Sequence, residues 1–323
     1  MSLAGGRSGT LERLGQRLTR WRRADRTVFV LSGGGNLGAV QVGMLRALVE
    51  ADVRPDAVLG CSVGAINGAA FAARPDLSGV TRLERIWQRL AERDPDLMPN
   101  RRLLPLAAQL ARRGTSLHDQ GLLRDLLDAE LGDLEFADLA VPFACVAADV
   151  DTASARWFDE GQLLEALLAS SALPGVFAPV TIGDRRYFDG GVVREIPIGR
   201  ALELGATRIV LLHVGHLDER ELDEARRPFD VLAHAYWTMR AARLDDELAR
   251  VPDDVELLRL PAGSTPRLRF DDFSRGPELS ETAYRAASHY LRTGTVPAPE
   301  VGPVSDGEEP SEVFDAVEAL DTP

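Results

Sequence analysis

The chain has 323 residues, of which 45% are hydrophobic, and a formal net charge of −13. It is long enough to bury a large core in one sizeable domain with appendages. The acidic balance argues against general nucleic-acid binding, because a protein that follows a phosphate backbone needs a basic surface. All 37 basic residues are arginine, which together with the high alanine and glycine content is typical of GC-rich coding and indicates a bacterial source.

The first 26 residues form a basic N-terminal extension with seven arginines and two acidic residues. Four apolar side chains recur in it at helical spacing: Leu11, Leu14, Leu18 and Trp21. This pattern predicts an amphipathic helix over residues 10–23 that rests on anionic lipid at the inner membrane face. Arg22 lies at the edge of the apolar stripe, so a helix packed on the domain or a solvated arm remains an alternative.

A predicted strand at residues 27–31 leads into the glycine-rich stretch 32–38, and a helix is predicted from about Ala39 to Glu50. The first N–H groups of a helix have no intrahelical acceptor, and the helix dipole adds positive potential there. The glycine-rich stretch is therefore expected to bind an anion. Either a dinucleotide pyrophosphate or the transient oxyanion of an ester under attack would fit.

The dinucleotide hypothesis rests on Gly33, Gly35 and Gly38, which match the G-x-G-x-x-G fingerprint, and on Asp56 downstream. In a dinucleotide site the acidic residue follows the second strand, where it reaches the ribose. Asp56 precedes that strand instead. The fingerprint alone is a weak signal, so this stays the lesser alternative.

Ser62 lies in the sequence Gly60-Cys61-Ser62-Val63-Gly64, between a short apolar run and a segment of small residues. This order predicts a strand, a tight turn and a helix, with the serine at the apex of the turn. A turn so sharp requires small flanking residues, which Gly60 and Gly64 supply, and it exposes the hydroxyl above the sheet. The motif therefore indicates an activated nucleophile, whereas a glycine-rich loop with a solvated serine is the alternative.

The pattern between residues 74 and 138 is helical, with one apolar face formed by Leu83, Ile86, Trp87 and Leu90. Leucine clusters at residues 103–106 and 122–127 lie where an acyl-chain pocket or cap would be built. Ordinary core packing explains most of these leucines equally well.

Asp189 ends a predicted strand and is followed by Gly190 and Gly191. Glycines at this point allow another backbone to approach, so a partly desolvated aspartate could accept the proton of the serine hydroxyl. An ordinary Asp-Gly turn is the alternative. The chain also contains five histidines, each interpreted as structural: His118, His213, His216, His234 and His289. Among these, His216 is the best outside candidate for a catalytic base, and His213 is placed in a buried strand.

The remaining sequence adds few candidate sites. Cys61 and Cys145 are too few for a disulfide framework, and no His/Cys cluster has metal-ligand spacing, so no metal site is expected. No apolar run approaches the ~20 residues of a membrane span, and a cytoplasmic location is expected. A strand is predicted at residues 255–260 and a last helix ending near Leu291, before an acidic Pro/Gly-rich tail from residue 295 that is expected to be disordered.

Three motifs follow one another along the chain: the glycine-rich stretch 32–38, the serine turn at Ser62, and Asp189 with its two glycines. In this order they resemble the motifs of the patatin-like phospholipase family. The resemblance covers residues 27–215 and includes the stretches 169–175 and 177–180. It implies a three-layer α/β/α fold with a mainly parallel central sheet, and a catalytic domain over residues 27–294. It also implies a serine lipid acyl hydrolase that uses a Ser-Asp dyad and an acyl-enzyme intermediate, acting on phospholipid or another acyl-ester lipid without calcium or an organic cofactor.

By this resemblance, Ser62 attacks the ester and Asp189 takes its proton. The expected oxyanion donors are the N–H groups of the glycine triplet and of the residue after the nucleophile: Gly33, Gly34, Gly35 and Val63. Supporting positions are Asn36, Gly38, Gly190 and Gly191.

The chain departs from the family pattern at Leu37, where the family usually has arginine or lysine. Asn36 is expected to offer a neutral donor instead. Leu37 is also the feature that favours a second hypothesis, a catalytically silent lipid-binding or regulatory protein on the same scaffold. A Ser-Asp-His α/β-hydrolase is a third hypothesis, against which the early position of Ser62 argues, because such folds build several strands before the nucleophile.

Overall fold

The computed structural model describes residues 25–92, 120–215, 235, 238–239, 242–264 and 272–297. The predicted N-terminal helix, the leucine cluster at residues 103–106 and most of the acidic tail lie outside these residues, as do His118, His216 and His234. The proposed domain boundaries therefore stay predictions.

Eight strands of the described part of the chain form one sheet. They are β1 (Thr27–Leu31), β2 (Ala57–Cys61), β3 (Phe143–Asp149), β4 (Ser154–Phe158), β5 (Val180–Ile182), β6 (Arg185–Asp189), β7 (Arg208–Leu212) and β8 (Glu256–Arg259). The helices are α1 (Ala39–Glu50), α2 (Val63–Ala73), α3 (Leu77–Glu92), α4 (Gly121–Leu131), α5 (Leu163–Ser170), α6 (Ile198–Glu203) and α7 (Gly276–Thr293). Short 3-10 turns occupy Gly35–Gly38, Phe136–Asp138 and Gly190–Val192.

The sheet is mainly parallel. Strands β8, β7, β1, β2 and β3 pair in that order as parallel neighbours, whereas β4 and β6 pair with β3 in antiparallel fashion and β5 pairs with β6. Parallel strands joined by helices require both sheet faces to be covered, and β1 and β2 accordingly are almost wholly apolar.

Helices cover the two faces of the sheet, as the alternation along β1 shows. Phe29 and Leu31 pack into the larger core, which includes residues of α1, α2, α3 and α7. Val28 and Val30 point to the opposite face, where the core includes residues of α6 and Leu244. The expected α/β fold, with helices on both faces of a mainly parallel sheet, is confirmed.

The strand predictions hold closely, with β1 as expected, β2 longer by two residues than its apolar run, and β8 within the predicted stretch 255–260. Helix α1 spans the predicted residues, and α7 contains His289 and ends at Thr293. The prediction that His213 lies within a strand was wrong, because β7 ends at Leu212 and the buried His213 follows it in the loop.

Two buried thiols lie in neighbouring strands. Cys145 pairs with Gly60, next to Cys61; both cysteines are fully buried, and they form no disulfide. Burial, followed by the charge of Asp159, raises the pKa of the Cys145 thiol far above its ordinary value of 9.0. This thiol is therefore protonated and unreactive at neutral pH.

Candidate active site

Ser62 occupies a strained turn between β2 and α2, with φ 55° and ψ −126°. A non-glycine residue in such a conformation costs ~1–3 kcal/mol, and it persists only where the surroundings hold it. A Cβ at Gly60 would lie 2.5 Å from the carbonyl oxygen of Gly64, and a Cβ at Gly64 would collide with the carbonyl oxygen of Ser32. The chain therefore folds into the tight strand-turn-helix that the motif predicts, and only glycine fits on its two flanks.

The strand register brings the ends of β2 and β6 together. Cys61, the last residue of β2, pairs with Val146, and Asp189, the last residue of β6, pairs with Ala147. Strand β4 pairs with β3 across both of these positions. Because a strand has only two edges, β2 and β6 must share the other edge of β3 and meet there end to end. Ser62 and Asp189 therefore lie at one place in the sheet.

Asp189 is buried, with only 2% of the residue exposed. Its Oδ1 accepts a hydrogen bond from the N–H of Gly191 at 2.7 Å. A Cβ at Gly190 would collide with the carbonyl oxygen of Val146, so the backbone after Asp189 lies directly against β3. Gly190 and Gly191, predicted as supporting positions, thus allow this close approach and fix the carboxylate.

The glycine-rich loop at the end of β1 contains several backbone N–H donors. Among the described residues, the N–H groups of Gly34, Gly35 and Val63 have no hydrogen-bond acceptor. Gly33 differs, because its N–H is directed at the carbonyl of Glu195, at 3.4 Å. This donor is engaged within the protein and is not available to an oxyanion.

The residues after the glycine triplet face the protein interior. Leu37 is 1% exposed and belongs to the larger core. The Asn36 side chain is also buried, and its Nδ2 donates to the carbonyl of Asp272 at 2.7 Å. One of its N–H bonds thus ties the loop to the segment before α7. Gly38 has no room for a side chain, since a Cβ there would collide with Val63.

Four polar residues that sequence reasoning did not assign support this region: Ser170, Gln41, Asn67 and Arg243. Ser170 accepts a hydrogen bond from the N–H of Ser62 at 3.0 Å, and the Arg243 guanidinium donates to the carbonyl of Val192 at 2.6 Å. Gln41 and Asn67 are fully buried. The sequence could have indicated Gln41 and Asn67, because each is a polar residue among small apolar residues of a helix.

Asp56 and His213 are further candidates, of which only His213 lies at the same carboxyl edge of the sheet as the loop, because Leu212 pairs with Leu31. Oδ2 of Asp56 accepts the N–H of Thr27 at 2.7 Å, at the amino ends of β1 and β2 and thus at the opposite end of β1 from the glycine-rich loop. His213 follows β7, which β1 separates from β2, and its Nδ1 accepts the N–H of Gly215 at 3.2 Å. Within the described ranges, no group of three His, Cys, Asp or Glu side chains could hold a metal ion.

These features define the class of α/β proteins that carry a serine in a strained turn between a parallel strand and a helix. The sequence model of the patatin-like phospholipase family matches residues 29–202, more than half of the chain. The chain belongs to the patatin-like phospholipase family.

The chain is also similar to several named proteins. The chain is 29% identical over 208 residues to neuropathy target esterase sws of Drosophila melanogaster, covering 64% of this chain and 14% of that protein. It is 27% identical over 292 residues to patatin-like phospholipase domain-containing protein 7 of Mus musculus, covering 83% of this chain and 21% of the relative. The chain thus spans about a fifth or less of the length of these curated relatives. The crystal structure of VipD from Legionella pneumophila matches with a TM-score of 0.47 and 15% identity, over 83% of this chain and 67% of that one.

Proposed function

We propose that this protein is a serine-dependent lipid acyl hydrolase in which Ser62 is the nucleophile and Asp189 the general base. The observation that carries the proposal is the pairing of Cys61 and Asp189 with consecutive residues on one edge of β3. Family membership and the esterase and phospholipase named among the relatives support hydrolysis of a carboxylic ester.

In the first half of the reaction, Oγ of Ser62 attacks the ester carbonyl carbon while Asp189 accepts the hydroxyl proton. The carbonyl oxygen becomes anionic, and the N–H groups of Gly34, Gly35 and Val63 stabilise it. When the intermediate collapses, the carbon–oxygen bond to the alcohol part of the lipid breaks. The proton held by Asp189 passes to that oxygen, and the acyl group stays on Ser62.

In the second half, Asp189 takes a proton from water, whose oxygen attacks the acyl carbon. The bond to Oγ then breaks, the fatty acid leaves, and the proton returns to Ser62. The strained backbone of Ser62 and the hydrogen bond from Gly191 to Asp189 hold both groups in place before the substrate arrives, so little reorganisation is needed during the reaction.

The catalytically silent alternative retains one argument, since Leu37 leaves no cation at its position. However, Leu37 is buried in the core, so its side chain is part of the packing behind the loop and not of its donor surface. The main-chain donors do not depend on that side chain. A peripheral lipid contact through residues 10–23 is part of this proposal, because it would bring the site to its substrate.

The test is hydrolysis of a short-chain p-nitrophenyl ester and of a fluorogenic phospholipid by wild type, Ser62→Ala and Asp189→Asn. Matched controls are Ser154→Ala and Asp184→Asn, at exposed positions. Both active-site variants are expected to lose at least ~10³-fold in kcat, and both controls to stay within ~2-fold of wild type. Equal rates for wild type and Ser62→Ala would favour the silent scaffold, and full activity of Asp189→Asn would point to a histidine base.

A further inference from the structure

Two adjacent serines at the end of α5 differ in their contacts, although both are buried. Ser170 is fully buried and Ser171 is 7% exposed. The hydroxyl of Ser170 accepts the N–H of Ser62 at 3.0 Å and donates to the carbonyl of Val146 at 2.7 Å. The hydroxyl of Ser171 has no partner within the described part of the chain. Of these two neighbouring hydroxyls, Ser170 therefore connects two backbone groups, whereas Ser171 connects none among the described residues.

The first contact of Ser170 bears on the strained turn. A buried backbone N–H without an acceptor is costly, and the N–H of Ser62 cannot bond within α2, because it precedes the helix. Its acceptor is the Ser170 hydroxyl. This hydrogen bond orients the peptide plane before Ser62 and so the direction in which its side chain leaves the turn.

The second contact connects the turn to the strand that places Asp189. Val146 is the residue before Ala147, with which Asp189 pairs, and the backbone at Gly190 packs against the carbonyl oxygen of Val146. That same oxygen accepts a hydrogen bond from the Ser170 hydroxyl. A single hydroxyl thus joins the nucleophile's amide to the part of β3 beside which the carboxylate lies.

The direction of each hydrogen bond is fixed by chemistry. An N–H can only donate and a carbonyl can only accept, so the hydroxyl between them must accept from Ser62 and donate to Val146. A methyl group in its place can do neither, and it would leave both backbone groups without a partner.

We propose that Ser170 is a positioning residue for the hydrolysis described above, which holds the backbone of Ser62 so that Oγ faces Asp189. The proposal rests on the proposed function for its readout. Ser170 does not touch the substrate and takes no part in proton transfer. Its effect is therefore on the rate of acyl transfer and not on substrate binding.

The experiment compares Ser170→Ala with Ser171→Ala, which removes the neighbouring buried hydroxyl. Turnover of the p-nitrophenyl ester separates kcat from KM, and the rate of labelling by a fluorophosphonate probe reports the reactivity of Ser62 itself. Since small misplacements of a reacting group cost up to ~10²-fold, Ser170→Ala is expected to lower kcat and the labelling rate by ~10- to 100-fold. Its KM should stay within ~2-fold of wild type, whereas Ser171→Ala should retain kcat within ~2-fold.

Ser170→Cys is the second variant, since a thiol keeps nearly the volume of the hydroxyl but hydrogen bonds weakly. It is read in place of Ser170→Ala if circular dichroism shows that the alanine variant does not fold, and a lowered kcat at unchanged KM is again expected. If the Ser170 variant that is read keeps a kcat within ~2-fold of wild type, the proposal is overturned. An equal loss in both alanine variants would also overturn it, because general packing would then explain the effect.

Failure of this proposal is distinct from failure of the proposed function. If Ser62→Ala is inactive and Ser170→Ala is as active as wild type, only the positioning role is wrong. If Ser62→Ala hydrolyses the ester as fast as wild type, the nucleophile assignment itself is wrong.

Discussion

The side chains of Gln41 and Asn67 hydrogen bond to each other in the core, with Nδ2 of Asn67 donating to Oε1 of Gln41 at 2.9 Å. Nε2 of Gln41 donates to the carbonyl of Ser32 at 2.8 Å, and Asn67 donates to the carbonyl of Gly38 at 2.9 Å. These two carbonyls lie at the two ends of the glycine-rich loop. The pair therefore connects both ends of the loop to α1 and to α2, the helix that follows Ser62.

Asn67→Ala is expected to destabilise the protein strongly. The Nε1–H of Trp87 donates to Oδ1 of Asn67 at 3.0 Å, so the substitution leaves that donor and the acceptors on Gln41 and Gly38 without their partner. Leaving buried polar groups unsatisfied costs ~1–3 kcal/mol for each group, and we expect a loss of ~3 kcal/mol or more in the free energy of unfolding.

Denaturant unfolding measures this change. The control is Gln88→Ala, which removes an exposed amide that donates to Glu92 at 3.1 Å and is expected to change stability by less than ~0.5 kcal/mol. A similar small change for Asn67→Ala would show that the buried network does not stabilise the loop.

Gly64→Ala is expected to distort the elbow. The added Cβ would collide with the carbonyl oxygen of Ser32 and lie 2.5 Å from that of Leu31. Backbone atoms of a central strand cannot move aside cheaply, so we expect a loss of ~2 kcal/mol or more in stability. Under the proposed mechanism, ester hydrolysis should fall by at least ~10²-fold.

Gly199→Ala is the matched control for that substitution. Gly199 lies in α6, and the atom nearest to an added Cβ is Nη1 of Arg194, at 3.8 Å. Alanine is favoured over glycine in a helix by ~1 kcal/mol, so the melting temperature should stay the same or rise. Both variants are compared by thermal unfolding and ester hydrolysis. If Gly64→Ala keeps the melting temperature and the hydrolysis rate of wild type, the close packing around Gly64 is contradicted.

Stability at acidic pH is expected to depend on Asp149. Its carboxylate lies 2.7 Å from Nη1 of Arg185, and this hydrogen bond, followed by backbone donors such as the N–H of Thr152, lowers its pKa below the ordinary 3.8. Because the pKa of Asp149 is lower in the folded state than in the unfolded state, the interaction stabilises the protein at a pH above the unfolded-state pKa. This stabilisation is lost as the pH falls through the folded-state pKa.

Asp149→Asn should therefore unfold at lower denaturant concentration than wild type at neutral pH, and the difference should shrink as the pH falls below the ordinary aspartate pKa of about 3.9. The exposed Asp184→Asn serves as the control and is expected to leave the profile unchanged. A difference between Asp149→Asn and wild type that is independent of pH would show that the charge of Asp149 is not responsible.

Much of the core fold and the main candidate residues could be predicted from the sequence, because each rests on a local pattern. The run of β1, loop and α1 and the elbow at Ser62 follow from apolar stretches interrupted by glycines. The engagement of Gly33 with Glu195 and of Asn36 with Asp272 could not be predicted. Both partners are distant in the sequence, and nothing in a local pattern indicates which residues fold against the loop.

The supporting polar residues were missed for a related reason. Ser170 lies in a stretch that matched the family pattern, but its hydroxyl acquires a role only when α5 ends beside the turn at Ser62. Gln41 and Asn67 are single polar residues in otherwise apolar helices, which indicates a buried partner without identifying it.

The sequence by itself determined where a nucleophile, a carboxylate and a row of backbone donors can exist, since glycine spacing and strand ends are properties of short segments. Only the tertiary structure decided that Ser62 and Asp189 lie at the same edge of β3, because β2 and β6 pair with that edge. Strand pairing joins segments more than a hundred residues apart, and its register is selected by the packing of the whole sheet between its helices.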